Sequence, residues 1–329
     1  MPFNVCIAGA GGISESHIKI LKSLPNVRVT AVVDPQFDSA KRLASAWGVE
    51  HAFSDPSEVI SRKLADAVHV LVPPDKHKAA ALPYIEAGIH AFLEKPMCLS
   101  VADAEELKAA AAKSGALVGV NQNTSFTPAH VKAKAIINSN VLGPVHHVYC
   151  YWNNDLGLLS AKKYTQWLFQ QPKNIFWEQA VHPLSQIYDL VGPLKNCQVH
   201  TLPARTMAPG IDFISTWQIS MECEKATAQF FYSIGQPYPT IGMFIICTNG
   251  TIAVDLLRNR VITDTSTPGR DFIEYHTSMA LSRQLKHHAR TGFLEELKAT
   301  FGLRHASDWQ SVGMRNSIAA FYQGLENRK

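Results

Sequence analysis

The 329-residue sequence has little of what marks specialised protein classes. Its six cysteines, at positions 6, 98, 150, 197, 223 and 247, lie far apart and form no CxxC pair. Neither a zinc site nor a dense disulfide framework is suggested, and reduced thiols in a cytoplasmic protein are expected. No apolar stretch approaches the roughly 20 residues of a membrane helix, and the N-terminus lacks the basic, apolar, small-residue order of a signal peptide. Internal repeats, low-complexity tracts and heptad runs are absent. Charge is also scarce. Thirty-one Lys and Arg against 27 Asp and Glu leave +4, too mild a tilt for nucleic-acid binding, and no basic-and-aromatic motif accompanies it. What is present is a globular composition, 46% hydrophobic and 18% charged, on a chain long for one core. Two domains are expected, over residues 1–122 and 123–329.

The first of these alternates strands and helices. Apolar runs at 3–8, 27–33, 67–72, 90–93 and 117–120 read as buried strands. Helical spacing appears over 13–24, 38–47, 77–87 and 101–114, with Gly48 and Gly88 as stops and Ser100 as an N-cap. Strands alternating with helices imply an α/β fold with a doubly wound parallel sheet, which binds ligands at the carboxyl ends of its strands.

Between the first strand and the first helix stands Gly9-Ala10-Gly11-Gly12-Ile13-Ser14, a GxGxxG pattern with Ser14 at its third position. Gly9 permits the tight turn, and Gly11 lets backbone approach a pyrophosphate without a Cβ in the way. The N–H groups of Gly12 and Ile13 open the helix toward that phosphate. Asp34 closes the second strand, 25 positions after Gly9. A carboxylate there accepts hydrogen bonds from ribose hydroxyls and repels a 2′-phosphate, so NAD is favoured over NADP.

Three further motifs follow: Pro73-Pro74-Asp75-Lys76-His77 after the third strand, Glu94-Lys95-Pro96 after the fourth, and Glu178-Gln179-Ala180-Val181-His182 in the second half. With the Gly9 turn and its following His17, this order resembles the Gfo/Idh/MocA family of nicotinamide enzymes. The resemblance implies a Rossmann domain, a C-terminal α+β domain on an open, mainly antiparallel sheet, and hydride transfer between NAD and a carbohydrate-type alcohol. It places Lys95 and His182 at the reacting hydroxyl. It departs from the family pattern at Glu178, where an Asp is usual, and at Ala180, where a Gly is usual. Pro73, His77, Glu94 and Asn121 are expected along the cofactor. Asn123, Tyr164 and Trp177 are expected near the substrate, the two rings as stacking surfaces for a sugar.

The residue types suit that chemistry. Oxidising a secondary alcohol removes a hydroxyl proton as hydride leaves the same carbon, and the imidazole of His182 can take that proton near neutral pH. Glu178, four residues earlier, shares a helix face with it. The Lys95 ammonium would stabilise the developing alkoxide. Alternatives on the same fold are transient oxidation serving elimination, epimerisation or glycoside cleavage, and a non-catalytic NAD-binding regulatory protein. No metal is expected: the pairs His146-His147 and His287-His288 lack a companion carboxylate or thiol at ligand spacing.

The second domain reads as a helix over 128–141, then strands over 145–152, 198–202, 214–222, 226–233, 241–248 and 251–256, then helices near 282–300 and 309–323. Asn249-Gly250 signals a hairpin and Thr265 to Arg270 a loop. Residues 226–231 alternate with apolar side chains on both faces, so one face is a candidate subunit contact. The resemblance likewise points to a homodimer or homotetramer through this sheet.

Overall fold

The computed structural model describes residues 2–155, 157, 161, 164, 167–208, 210–235, 237–265, 273–301 and 308–328. The chain separates into two compact units, residues 1–122 with 315–329, and residues 123–314.

The first unit holds a six-stranded parallel sheet. In chain order it runs β1 (Phe3–Ala8), α1 (Gly12–Leu21), β2 (Val27–Val33), α2 (Phe37–Trp47), β3 (His51–Phe53), α3 (Pro56–Ser61), β4 (Ala67–Val70), α4 (His77–Glu86), β5 (His90–Leu93), α5 (Val101–Ser114) and β6 (Val118–Val120). The strand order β3-β2-β1-β4-β5-β6 reverses direction between β1 and β4, which makes the sheet doubly wound. The apolar runs form strands because both faces of the sheet are covered; β4 is buried at every position. Ser14, His17, Ile18 and Leu21 form the buried stripe of α1. Ser100 caps α5 by accepting the Asp103 N–H, and Gly48 ends α2 in the left-handed region.

Two elements here went unread in the sequence. β3 is only three residues long, and α3 is a single short turn begun by Asp55, whose carboxylate accepts the Ser57 N–H with Pro56 in the first turn. The strand expected over 67–72 stops at Val70, where the chain turns toward Pro73-Pro74.

The second unit carries a seven-stranded sheet. Its elements are α6 (Pro128–Asn138), β7 (Val145–Asn154), α7 (Asn174–Gln179), α8 (Val181–Val191), β8 (Leu194–Thr201), β9 (Arg205–Ala208), β10 (Ile211–Phe213), β11 (Thr216–Cys223), β12 (Thr227–Ile234), β13 (Thr240–Cys247), β14 (Gly250–Asp255), β15 (Arg260–Asp264) and α9 (Ile273–Thr300). The order is β15-β14-β13-β7-β12-β11-β8, with β9 and β10 as a separate hairpin. Every neighbouring pair is antiparallel except β7 with β12. One face of the sheet is buried through Val148, Cys150, Trp152, Ala228, Phe230 and Tyr232, in one core with Ala133, Ile175, Ile187 and Val191 of the helices. The other face leaves Tyr149, Phe231 and Phe244 exposed.

The structure corrects the hairpin register. Cys247 pairs with Gly250, so the turn is Thr248-Asn249, one residue before the expected Asn249-Gly250. The Thr248 and Asn249 N–H groups donate to the carbonyls of Pro144 and Leu142, which fixes the turn there. Gly250 is needed instead for close approach, since a Cβ would strike the Asp264 carbonyl of β15. β15 and the β9–β10 hairpin were not anticipated. The loop expected over Thr265 to Arg270 lies outside the described residues from 266 on.

The final helix, α10 (Trp309–Glu326), begins in the second unit and ends in the first. Residues 315–329, grouped by the sequence boundary with the second domain, belong to the first unit. The reason is aromatic packing. Phe321 lies 5.0 Å from the ring of Phe92, and Tyr322 lies 5.8 Å from Phe3. Phe321 also fills the space beside Gly119, where a Cβ would meet its ring at 2.7 Å.

Candidate functional site

The glycine turn at the end of β1 is built as its residue types require. Gly9 adopts φ +107°, and a Cβ would meet the Leu71 carbonyl oxygen at 2.5 Å. Ser14, fully buried, donates its hydroxyl hydrogen to the Gly9 carbonyl at 2.8 Å and closes the turn. At Gly11 and Gly12 a Cβ would meet nothing within 4 Å. The turn therefore presents bare backbone to open space at the start of a ten-residue helix, whose first N–H groups have no intrahelical acceptor. Ile13 follows, 39% exposed.

Asp34 is tied to this turn. Its Oδ2 accepts the Ala10 N–H and its Oδ1 the Gln36 N–H, each at 2.9 Å. The carboxylate thus holds the β1 and β2 loops together, and each oxygen keeps a lone pair for a ribose hydroxyl.

At the end of β5, Glu94 accepts from Asn121 Nδ2 at 2.6 Å and from the Lys95 backbone N–H at 3.2 Å, and its Oε1 lies 2.9 Å from His17 Nε2. Burial pushes the Glu94 carboxyl pKa up. The His17 and Asn121 hydrogen bonds and the Lys95 charge more than offset this and hold it below the ordinary carboxylate value. Asn121 is buried, and its Oδ1 has no hydrogen-bond partner among the described residues. The Lys95–Pro96 peptide bond is cis.

Pro73 opens the turn Pro74–Lys76, whose Lys76 N–H donates to the Pro73 carbonyl at 2.9 Å. His77, expected along the cofactor, opens α4 directly after this turn. It is fully buried, with Nδ1 2.9 Å from the Pro96 carbonyl and Nε2 2.9 Å from the Val72 carbonyl. Both ring nitrogens are taken up in tying the β4 loop to the segment after β5.

In the second unit, His182 lies in the first turn of α8, 5% exposed, its ring stacked on Trp152 of β7 at 5.8 Å and 12°. Its carbonyl accepts the Ser185 hydroxyl at 2.7 Å. Glu178 ends α7. Ala180 lies between the two helices in helical conformation, so the chain passes from Glu178 to His182 in about one turn. Glu178 also faces Tyr232, whose hydroxyl pKa burial raises well above its usual value, with the Glu178 charge adding to the rise. Asn123 begins the helical turn Asn123–Phe126. Tyr164 packs edge-on against Phe169 at 5.5 Å and belongs to the core margin, whereas Trp177 is 48% exposed.

The structure thus joins Gly9, Gly11, Gly12 and Asp34 in one cluster and Glu94, Lys95 and Asn121 in another, all at the carboxyl edge of the parallel sheet. Sequence reasoning missed His69 and Tyr322. His69 Nε2 lies 2.9 Å from the Tyr322 hydroxyl and its Nδ1 2.8 Å from His17 Nδ1. The available signal was a histidine inside the apolar strand Ala67–Val70, since a fully buried imidazole requires polar partners. His288 binds the Val261 carbonyl at 3.0 Å, and His146 and His147 bond the hydroxyls of Thr248 and Thr227. Among the described residues no group of three or more His, Cys, Asp or Glu side chains converges as metal ligands.

The glycine cradle, the acid closing β2 and the polar cluster after β5 define a Rossmann-type dinucleotide domain, followed by a domain on an open mixed sheet. The chain belongs to the Gfo/Idh/MocA oxidoreductase family. Residues 3–122 match the family model for the oxidoreductase family's NAD-binding Rossmann fold, and residues 130–253 match the GFO/IDH/MocA C-terminal domain. Among curated relatives, 4-carboxy-2-hydroxymuconate-6-semialdehyde dehydrogenase of Sphingobium sp. is 30% identical over 126 residues, 38% of this chain and 40% of that protein. The NAD-dependent scyllo-inositol 2-dehydrogenase of Bacillus subtilis is 25% identical over 326 residues, 90% of each. A crystal structure of an Agrobacterium radiobacter oxidoreductase with NAD+, L-tartaric acid and magnesium superposes with a TM-score of 0.71 at 16% identity, covering 100% of this chain and 98% of that one. The first of these relatives is matched over less than half its length, the second over nearly all.

The residues present fit NAD. Gly11 and Gly12 leave a cradle for a pyrophosphate, Asp34 offers acceptors at the ribose position, and Asn121 Oδ1 supplies an unused buried acceptor.

Proposed function

We propose that this chain is an NAD-dependent dehydrogenase of a secondary alcohol on a sugar, cyclitol or sugar derivative. The observation that carries the reading is the glycine cradle tied to Asp34 through the Ala10 N–H at 2.9 Å, on the sheet edge that also bears Glu94 and Lys95. The family and the full-length likeness to an inositol dehydrogenase support the substrate class. Bound NAD supplies the hydride acceptor.

The chain's own residues do the rest. Backbone N–H groups of Gly11, Gly12 and Ile13 hold the pyrophosphate, and Asp34 orients the adenosine ribose and repels a 2′-phosphate. Glu94 and Asn121 hold the segment after β5. Lys95 places its ammonium at the reacting oxygen and stabilises negative charge as the hydroxyl loses its proton. His182 takes that proton in oxidation and returns it in reduction. Glu178 orients the ring or the substrate, and Asn123 and Trp177 are the polar and aromatic substrate contacts. Tyr164 is the second ring offered to the apolar face of a sugar. His77, held by the Pro96 and Val72 carbonyls, borders the nicotinamide side together with Pro73.

The same reading gives the outer face of the second sheet to self-association, since Tyr149 and Phe244 are cross-strand partners and both exposed, with Phe231 beside them. The function is tested by incubating the protein with NAD and a panel of cyclitols and sugars. NADH growth with at least one member supports the reading. Tightly retained NAD with no net NADH, but with a changed sugar, replaces it with transient oxidation.

A further inference from the structure

The first unit contains a line of buried polar side chains that the dehydrogenase steps do not use. Tyr322 Oη lies 2.9 Å from His69 Nε2, His69 Nδ1 lies 2.8 Å from His17 Nδ1, and His17 Nε2 lies 2.9 Å from Glu94 Oε1. His17 and His69 are fully buried and Tyr322 is 1% exposed. The Tyr322 ring is stacked on His69 at 12°, and the two imidazoles meet edge to face at 81°.

Two facing Nδ1 atoms form a hydrogen bond only when one carries a hydrogen and the other does not, so the tautomers of His17 and His69 are linked. The Glu94 end decides the direction. Its oxygens accept from Asn121 Nδ2 and from the Lys95 N–H, groups that can only donate, which suits an ionised carboxylate. An ionised Glu94 needs a donor at His17 Nε2. A neutral His17 then accepts at Nδ1, His69 donates from Nδ1 and accepts at Nε2, and the Tyr322 hydroxyl donates. Burial, the largest cause, pushes the His69 pKa well below the usual histidine value, in keeping with a neutral ring. Every hydrogen in the line then points toward Glu94, and each polar atom along it is satisfied. Simple filling of the core needs none of this, because apolar side chains would occupy the same space without requiring mutual partners.

We propose that Tyr322 and His69, acting through His17, are positioning residues: a one-way chain of donors that starts on the C-terminal helix and fixes Glu94 as an oriented carboxylate, and with it Asn121 and the Lys95 backbone, ready to receive NAD. The proposal rests on the reading of Glu94, Lys95 and Asn121 as the cofactor side of the site. Sequence spacing gives no hint of it, since Tyr322 lies 253 positions from His69.

The test labels the histidines of the full chain with 15N and reads ring tautomers from long-range proton–nitrogen correlations, with His17→Gln and His69→Gln for assignment. The expected result is His69 as the Nδ1–H tautomer and His17 as the Nε2–H tautomer. The opposite pair, or a His17 ring protonated on both nitrogens near neutral pH, overturns the proposal. Tyr322→Phe then removes one hydroxyl and keeps the ring. It should redistribute the His69 tautomers and weaken NAD binding about 3- to 10-fold, the range one buried hydrogen bond supports. In a Glu94→Gln background the further effect on NAD affinity should vanish. Equal weakening in both backgrounds, or none in either, also overturns it. Tautomers and NAD affinity are read without substrate. Absent dehydrogenase activity with the stated tautomers removes the function and keeps the chain of donors, and an active enzyme with the opposite tautomers does the reverse.

Discussion

The two units hold their candidate residues by different means. In the first, the cofactor residues are fixed largely by backbone and by one another: Gly9 by its positive φ, Asp34 by two N–H donors, Glu94 by His17, Asn121 and the Lys95 N–H. In the second, His182 is held by aromatic packing on Trp152, at the start of a helix whose only break from α7 is Ala180. A dinucleotide has an invariant core that backbone can grip, so its site is written in glycines and short spacings. A small substrate is read by side chains whose choice varies with its functional groups, so a site for one leaves a weaker mark in a sequence.

The sharpest break between the units should come from chemistry rather than binding. Lys95→Met is expected to lower turnover about 10³-fold while NAD affinity changes little, checked by steady-state rates beside calorimetric titration of NAD. Near-native turnover would remove Lys95 from the reaction. His182→Ala should cost about 10²-fold in turnover. Unaltered turnover there, with Lys95 essential, would confine the chemistry to the first unit.

A pair of glycine substitutions sharpens the account of the first unit. Gly9→Ala forces a Cβ against the Leu71 carbonyl at a positive φ and should destabilise the fold by about 2 kcal/mol in denaturant unfolding. Gly11→Ala enters open space, so it should leave stability within about 0.5 kcal/mol and still weaken NAD binding. If Gly11→Ala binds NAD normally, the cradle does not seat the pyrophosphate.

The smallest effect concerns acid. The His69 pKa is depressed in the folded chain, whereas the unfolded chain takes up a proton near the ordinary histidine value of 6.5. The stability this confers is therefore present above about pH 6.5 and lost as pH falls below it. Between about pH 7.5 and about pH 5.5, the unfolding midpoint of the native protein should drop further than that of His69→Phe. Equal drops in both would mean that His69 titrates normally when folded.

Much of the first unit was legible because its signals are local: apolar runs between helical stretches, Ser100 and Gly48 as helix ends, Gly9 before an acid-terminated strand. What escaped was either short, as with β3 and α3, or long-range. No spacing rule connects Tyr322 to His69 or Phe321 to Gly119, so nothing local in the sequence marks residues 315–329 as part of the first unit. In the second unit alternation gave away six strands but not β9, β10 or β15, and the parallel pairing of β7 with β12 and the Thr248-Asn249 turn depend on contacts distant in sequence. The carbonyl partners of the buried His77 ring, Pro96 and Val72, likewise come from segments that no local motif connects.

The most direct test of the central claim is NADH absorbance after mixing the native protein and Lys95→Met, both saturated with NAD, with scyllo-inositol and related polyols. The account predicts NADH from the native protein with at least one polyol and almost none from the variant, although both bind NAD. Equal NADH from both proteins, or none from the native protein with any polyol while NAD is bound and no sugar is altered, would contradict it.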